Sequence, residues 1–238
     1  MIHSDQDPIV ARATAPGRGG IGIVRVSGQQ KDTTAPMGGL FPGQELKPRH
    51  ATLLSVKESD GSDIDRAVIL YFEGPHSYTG EDVLEIQAHG GMAVLQMILD
   101  RVLELGRSLN VRLADAGEVT QRAFLNGRMD LAQSEAVADL IDAGTAAAAR
   151  AATRTLQGVF SEKLTQVSDH ITELRAYVEA TLDFPEEDID FIADGHIAEQ
   201  VNAILSELTD LEKKALRGKV LRDGLTVVLV GAPNVGKS

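Results

Sequence analysis

The 238-residue chain reads as an α+β domain, followed by an all-α domain, followed by the start of a P-loop α/β domain. Three observations carry that reading. Short β-branched runs bounded by Gly, Pro and Asp fill the first part of the chain. Apolar residues at alternating four- and three-residue steps fill the middle. The last residues, Gly231-Ala232-Pro233-Asn234-Val235-Gly236-Lys237-Ser238, spell G-x-x-x-x-G-K-S directly after the apolar run 225–230. The expected division is 1–117, 118–220 and 221–238.

In the first domain, strands are expected over 9–13, 21–26, 52–57, 67–72 and 83–88. A helix is expected over 92–105, because Val94, Leu95, Ile98, Val102 and Leu105 share one face and Gly106 ends the pattern. Pro36, Gly38, Gly39, Pro42, Gly43 and Pro48 mark 27–50 as a loop. In the second domain, 119–126 forms a short helix after Gly117 and Glu118, closed by Gly127. From Gln133 a helical pattern runs to about Leu182, with Gly144 and Gly158 as candidate interruptions. Within it Phe160, Leu164, Val167, Ile171, Leu174, Val178 and Leu182 form a heptad-like seam. A second helix over 194–219 carries Ile197, Val201, Ile204, Leu208, Leu211 and Ala215 on one face. Two such helices pack as an antiparallel pair, and the pair calls for further helices from beyond Ser238.

Composition narrows the function classes. With 43% hydrophobic and 24% charged residues, the chain is that of a soluble globular protein. It has no Cys and no Trp, which excludes disulfides and thiolate metal sites within this stretch. The start, Met1-Ile2-His3-Ser4-Asp5-Gln6-Asp7, is polar and acidic, unlike a signal peptide. No apolar run approaches the ~18 residues of a membrane span, so a cytoplasmic protein is expected. A net charge of −12 argues against a broad nucleic-acid-binding face, which would need Lys and Arg for phosphates.

Several residues carry candidate chemistry. In the terminal loop, backbone N–H groups can turn around phosphate oxygens, Lys237 adds a charge, and the Ser238 hydroxyl can ligate Mg²⁺. The chain ends inside this motif and is expected to be a fragment of a longer protein. Gly17-Arg18-Gly19-Gly20-Ile21-Gly22 contains G-x-G-x-x-G, but a strand rather than a helix follows it, which excludes a dinucleotide fingerprint. A structural turn and a loop approaching a ligand both remain open. Arg25 stands inside an apolar strand, where a charge is paired or bound to an anionic ligand. Val83, Glu85 and Gln87 share one strand face. The carboxylate and amide could read the donor edge of a heterocycle or form an exposed sheet face. His89, before Gly90-Gly91, fits a general base or a helix-entry residue. Asp183, Glu186, Glu187, Asp188 and Asp190 fit a hard-cation site or a solvated acidic turn. No Ser-His-Asp or metal-ligand spacing emerges.

Six blocks, in order, resemble the tRNA modification GTPase MnmE family, also called TrmE or ThdF. They are Ala15-Pro16-Gly17-Arg18-Gly19-Gly20-Ile21-Gly22-Ile23-Val24-Arg25-Val26-Ser27-Gly28, Ser77-Tyr78-Thr79-Gly80-Glu81-Asp82-Val83-Leu84-Glu85-Ile86-Gln87, Arg122-Ala123-Phe124-Leu125-Asn126-Gly127-Arg128, Glu135-Ala136-Val137-Ala138-Asp139-Leu140-Ile141-Asp142-Ala143, Asp183-Phe184-Pro185-Glu186-Glu187 and the terminal loop. The resemblance implies a folate-binding-like N-terminal domain that forms a homodimer and binds a formyl-tetrahydrofolate-type cofactor. It also implies a helical domain with a GTPase domain inserted into it. With the flavin- and NADH-using partner MnmG, the family adds a carboxymethylaminomethyl-type group to the wobble uridine of certain tRNAs. Carried over by motif, Arg25, Glu85 and Arg128 would contact the folate. Arg25 would meet an anionic or carbonyl part and Glu85 the pterin's donor edge. Asn234, Val235, Gly236, Lys237 and Ser238 would hold the GTP phosphates, with Asn234 on potassium and Ser238 on magnesium.

The chain departs from the family pattern at Ala116 and Val119, around its Gly-Glu pair. Arg128 stands where Lys is common, and 31–40 lacks the short amphipathic helix usual there. The resemblance implies a full protein that hydrolyses GTP, and a fragment that does not but dimerises and binds a reduced folate. Two other readings stay open: a non-catalytic folate-binding or dimerisation scaffold with a regulatory P-loop, and a ribosome-assembly GTPase without folate.

Overall fold

The computed structural model describes residues 7–29, 33, 36, 38–183 and 196–223. It divides into two compact units, 1–129 and 130–238, each considered by itself.

The first unit is built on a six-stranded sheet with strands β1 (Ile9–Arg12), β2 (Gly19–Gly28), β3 (Thr52–Lys57), β4 (Asp63–Phe72), β5 (Asp82–Gly90) and β6 (Arg112–Leu113). The order is β3-β4-β5-β2-β1-β6, antiparallel throughout except for the parallel pair β1–β6. Five strands fall where the alternation of apolar residues predicts them. The two-residue β6 carries too little pattern to be legible.

Helix α1 (Met92–Leu105) has the predicted bounds and is stopped by Gly106. Its Leu95, Ile98 and Val102 pack on Val10, Val24, Val26, Ile69, Leu84 and Ile86, which form one face of the sheet. Period-two alternation then turns Arg25, Glu85 and Gln87 to the opposite face.

The 27–50 connection departs from its expected loop. Thr33, Pro36 and 38–40 are helical, and the Thr33 N–H donates to the Gln29 carbonyl at 3.2 Å. Gly and Pro hide this turn from propensity reasoning, but burial of Leu40 and Phe41 in the core overrides propensity. A Cβ on Gly39 would come within 2.4 Å of Leu105 Cδ2, so Leu105 would have to shift to admit one.

Helix α2 (Glu118–Leu125) follows Gly117, whose φ of 81° is left-handed. It belongs to the sheet unit, so the boundary lies at 129/130 rather than at the expected 117/118. Two largely buried ion pairs, Arg112–Glu118 to β6 and Arg122–Glu81 to the loop before β5, tie α2 to this unit.

The second unit comprises α3 (Leu131–Ile141), α4 (Ala146–Leu156), α5 (Val159–Asp183) and α6 (Ile197–Asp223). Asp130 and Gln133 form a reciprocal capping box at the start of α3, and Thr145 caps α4. The breaks therefore fall at Gly144 and at Gly158 (φ 85°), where the sequence placed them. The expected seam of α5 splits. Phe160, Val167 and Leu174 pack with Ile204 and Leu211 of α6, whereas Leu164 and Ile171 are 43% and 47% exposed. From Phe160 to Leu174 alternate seam positions meet α6, and Leu182 at the far end is exposed. Ala132, Ala148, Ala151 and Ala152, with charged neighbours, line a cavity of about 630 Å³ in this unit.

Among the described residues no helix is long and apolar enough to cross a membrane.

Candidate functional site on the open face of the sheet

Strands β2 and β5 place Arg25 directly opposite Glu85. Arg25 Nε and Nη2 both donate to Glu85 Oε1, at 3.0 and 2.7 Å. Among the described residues, Glu85 Oε2 is engaged only by Gln87 Nε2, at 3.4 Å. The Arg25 guanidinium carbon lies 5.6 Å from the centroid of the Tyr78 ring, within range of a cation–π attraction. The charge inside an apolar strand is thus paired. The pair remains partly open to solvent, with side chains 24% and 13% exposed.

The loop before β5, which carries Tyr78, also lies against the stem of Arg128. Gly80 in that loop has φ 80°, and a Cβ on it would come within 3.2 Å of Arg128 Cγ and Asn126 Cβ. Asn126 Nδ2 donates to the Thr79 carbonyl at 2.7 Å, and the Arg128 N–H closes onto the Ala123 carbonyl at 2.8 Å. Tyr78 meets Arg25, while Gly80, two residues on, receives the stem of Arg128. Tyr78 Oη bonds Thr120 Oγ1 of α2 at 3.0 Å.

Beneath the loop lies a charge network that sequence reasoning missed. Arg112 grips Glu118 with two hydrogen bonds of 2.7 Å. Arg122, only 3% exposed, donates to Glu118 Oε1 at 2.9 Å and to both Glu81 oxygens at 3.1 and 3.2 Å. It also donates to the Asp7 carbonyl. Burial works to raise the Glu118 pKa. The Arg112 hydrogen bonds, the Asp115 N–H and Arg122 outweigh it and hold the group at about 2. Arg112 is raised in turn, chiefly by its hydrogen bonds to Glu118 and against the effect of burial. One signal was available: Glu118 and Arg122 stand four apart on a helix. Arg112 and Glu81 come from elements whose register no local pattern reveals.

His89 lies in β5, not at the helix entry, and α1 is capped by Gly91. Its Nδ1 meets Asp65 Oδ1 at 2.8 Å and its N–H donates to Asp65 Oδ2 at 2.8 Å. Burial would raise the Asp65 pKa, but the His89 N–H and ring prevail and lower it. Among the described residues no cluster of three His, Cys, Asp or Glu could hold a metal ion. The acidic stretch beyond Asp183 and the terminal loop with Asn234, Val235, Gly236, Lys237 and Ser238 lie outside the described residues.

A sheet unit with a half-open polar face, followed by a helical unit, is a division that known families share. Residues 8–128 match the family described as GTP-binding protein TrmE N-terminus, and residues 131–227 match the MnmE helical domain. The chain is 56% identical over 238 residues to the tRNA modification GTPase MnmE of Bordetella petrii, covering 100% of this chain and 52% of that protein. It is 53% identical over 237 residues to the protein of the same name from Janthinobacterium sp. (strain Marseille), covering 100% of this chain and 51% of that one. The chain therefore belongs to the tRNA modification GTPase MnmE family. It spans about half the length of the curated relatives it matches.

Proposed function

We propose that the sheet unit binds a formyl-tetrahydrofolate-type cofactor through Arg25, Glu85 and Arg128. The observation that carries this is the state of Glu85. One oxygen is fixed by Arg25, and among the described residues the other is held only by a long contact from Gln87. The open oxygen Oε2 of a carboxylate oriented in this way can accept an N–H donor of the kind a pterin presents. Arg25, spread over the Tyr78 ring, serves a carbonyl or anionic part of the ligand. The exposed Arg128 side chain serves its negatively charged tail. The donor set thus fits the cofactor, which when bound supplies a one-carbon unit. The chain's own residues bind and orient it.

The whole protein, in this reading, hydrolyses GTP in a tRNA modification reaction. Asn234, Val235, Gly236, Lys237 and Ser238 hold the phosphates, Asn234 binds potassium and Ser238 binds magnesium. The protein works in the cytoplasm as a homodimer joined through the sheet unit. An MnmG-type flavoprotein is its partner in placing a carboxymethylaminomethyl-type group on the wobble uridine of certain tRNAs. Membership of the family and the names of its relatives support this part.

Calorimetry with formyl-tetrahydrofolate tests the site. The unaltered chain should bind, and Glu85→Ala or Arg25→Ala should weaken binding about 10–100-fold, as expected for losing a hydrogen bond to a charged group. An unaltered chain that does not bind removes the folate assignment. Equal binding by all three proteins removes the residue assignment.

A further inference from the structure

We propose that Ser27, Thr79, Glu81 and Arg122 are positioning residues that set the ligand site through a directed chain of hydrogen bonds. The inference rests on the folate reading above. Ser27 Oγ lies 2.7 Å from Glu81 Oε2 and 2.7 Å from Thr79 Oγ1. An ionised carboxylate only accepts and a hydroxyl has one proton. Ser27 therefore donates to Glu81, and Thr79 must donate to Ser27. Arg122 anchors the far end by donating to both Glu81 oxygens.

Each arm of this chain ends beside a site residue. Ser27 follows Arg25 by two positions on the same face of β2. Thr79 lies between Tyr78, which sits under the Arg25 guanidinium, and Gly80, which receives the Arg128 stem. Arg122 sits on α2, whose Thr120 fixes the Tyr78 hydroxyl. Buried ion pairs do not in general raise stability over well-packed apolar residues. What this one adds is a defined height and tilt of the 77–80 loop over Arg25 and Glu85.

The test uses the full chain with Thr79→Val, which keeps the shape and removes the hydroxyl, and Thr79→Ser, which restores it. Ser27→Ala serves as a second break in the chain, and circular dichroism verifies folding of each. Affinity for formyl-tetrahydrofolate is measured by calorimetry. Loop position is read from fluorotyrosine NMR, which is simple because the chain has 3 Tyr. Thr79→Val and Ser27→Ala should bind about 10-fold more weakly, the scale seen when an outer hydrogen-bond partner of a site is lost. They should also shift the Tyr78 resonance and leave that of Tyr177 in place, and Thr79→Ser should restore both. Unchanged affinity in folded Thr79→Val and Ser27→Ala overturns the inference. If the unaltered chain does not bind, the folate reading falls instead, and the Tyr78 resonance alone then decides. A shift on Thr79→Val supports the positioning chain and an unmoved resonance overturns it.

Discussion

The two units of this chain hold themselves together in opposite ways. The sheet unit buries a contiguous apolar core between α1 and one sheet face, and ties its other side with ion pairs that are almost out of water. The helical unit rests on a small cluster around Val167, Ile204 and Leu211, with a sizeable cavity beside it and half its seam in solvent. Its ion pairs, such as Arg175–Glu179 and Lys214–Asp210, are exposed. The same kinds of residue thus do different physical work in the two units, because burial decides what a contact is worth.

Charges give the widest contrast. Arg122→Ala takes the shared partner from buried Glu118 and half-buried Glu81 and should cost about 3–5 kcal/mol. Arg175→Ala should cost less than about 1 kcal/mol. Urea unfolding followed by circular dichroism measures both, and comparable losses would remove the distinction. Apolar truncation comes next. Ile86→Ala, in a fully buried position, should cost about 2–5 kcal/mol through lost transfer energy and a residual cavity. Ile171→Ala, half in solvent, loses only a fraction of that area term. A large loss at Ile171 would mean that its side chain is covered in solution.

The smallest contrast is in pH. Glu118 is held at about 2, below its ordinary value of 4.5. A depressed carboxylate contributes stability that is fully present above about 4.5. As pH falls below that value the unfolded chain takes up the proton first, so the contribution declines until the folded group protonates near 2. Unfolding of the sheet unit should therefore become easier between these limits, and Glu118→Gln should flatten that slope. A slope unaltered by Glu118→Gln would assign the acid sensitivity elsewhere.

What the sequence discloses follows the range of each interaction. α1 and β3 have their predicted bounds because apolar periodicity and, for α1, the terminating Gly106 are local signals. The breaks beside Gly144 and Gly158 were legible for the same reason. Arg25 and Glu85 stood out individually, one as a charge in an apolar strand and the other beside an amide on a strand face. Their direct pairing depends on the register of β2 against β5, which no local pattern contains. The helical turn at 38–40 was hidden by Gly and Pro and is held by burial of Leu40 and Phe41. The seam of α5 has a clear period, but period alone does not say how many neighbours it faces.

The parallel pairing of β6 with β1, reinforced by the bond from Arg122 to the Asp7 carbonyl, has a consequence for synthesis on the ribosome. The first strand must wait for its outer neighbour and for the guanidinium that clasps its entry, both encoded near the far end of the unit. Hairpins β3–β4 and β4–β5 can form as they emerge, but the N-terminal edge closes late. Contacts of such long sequence separation slow folding. A nascent chain arrested before Arg112 should present β1 with one side open, to chaperones and to edges of other chains alike.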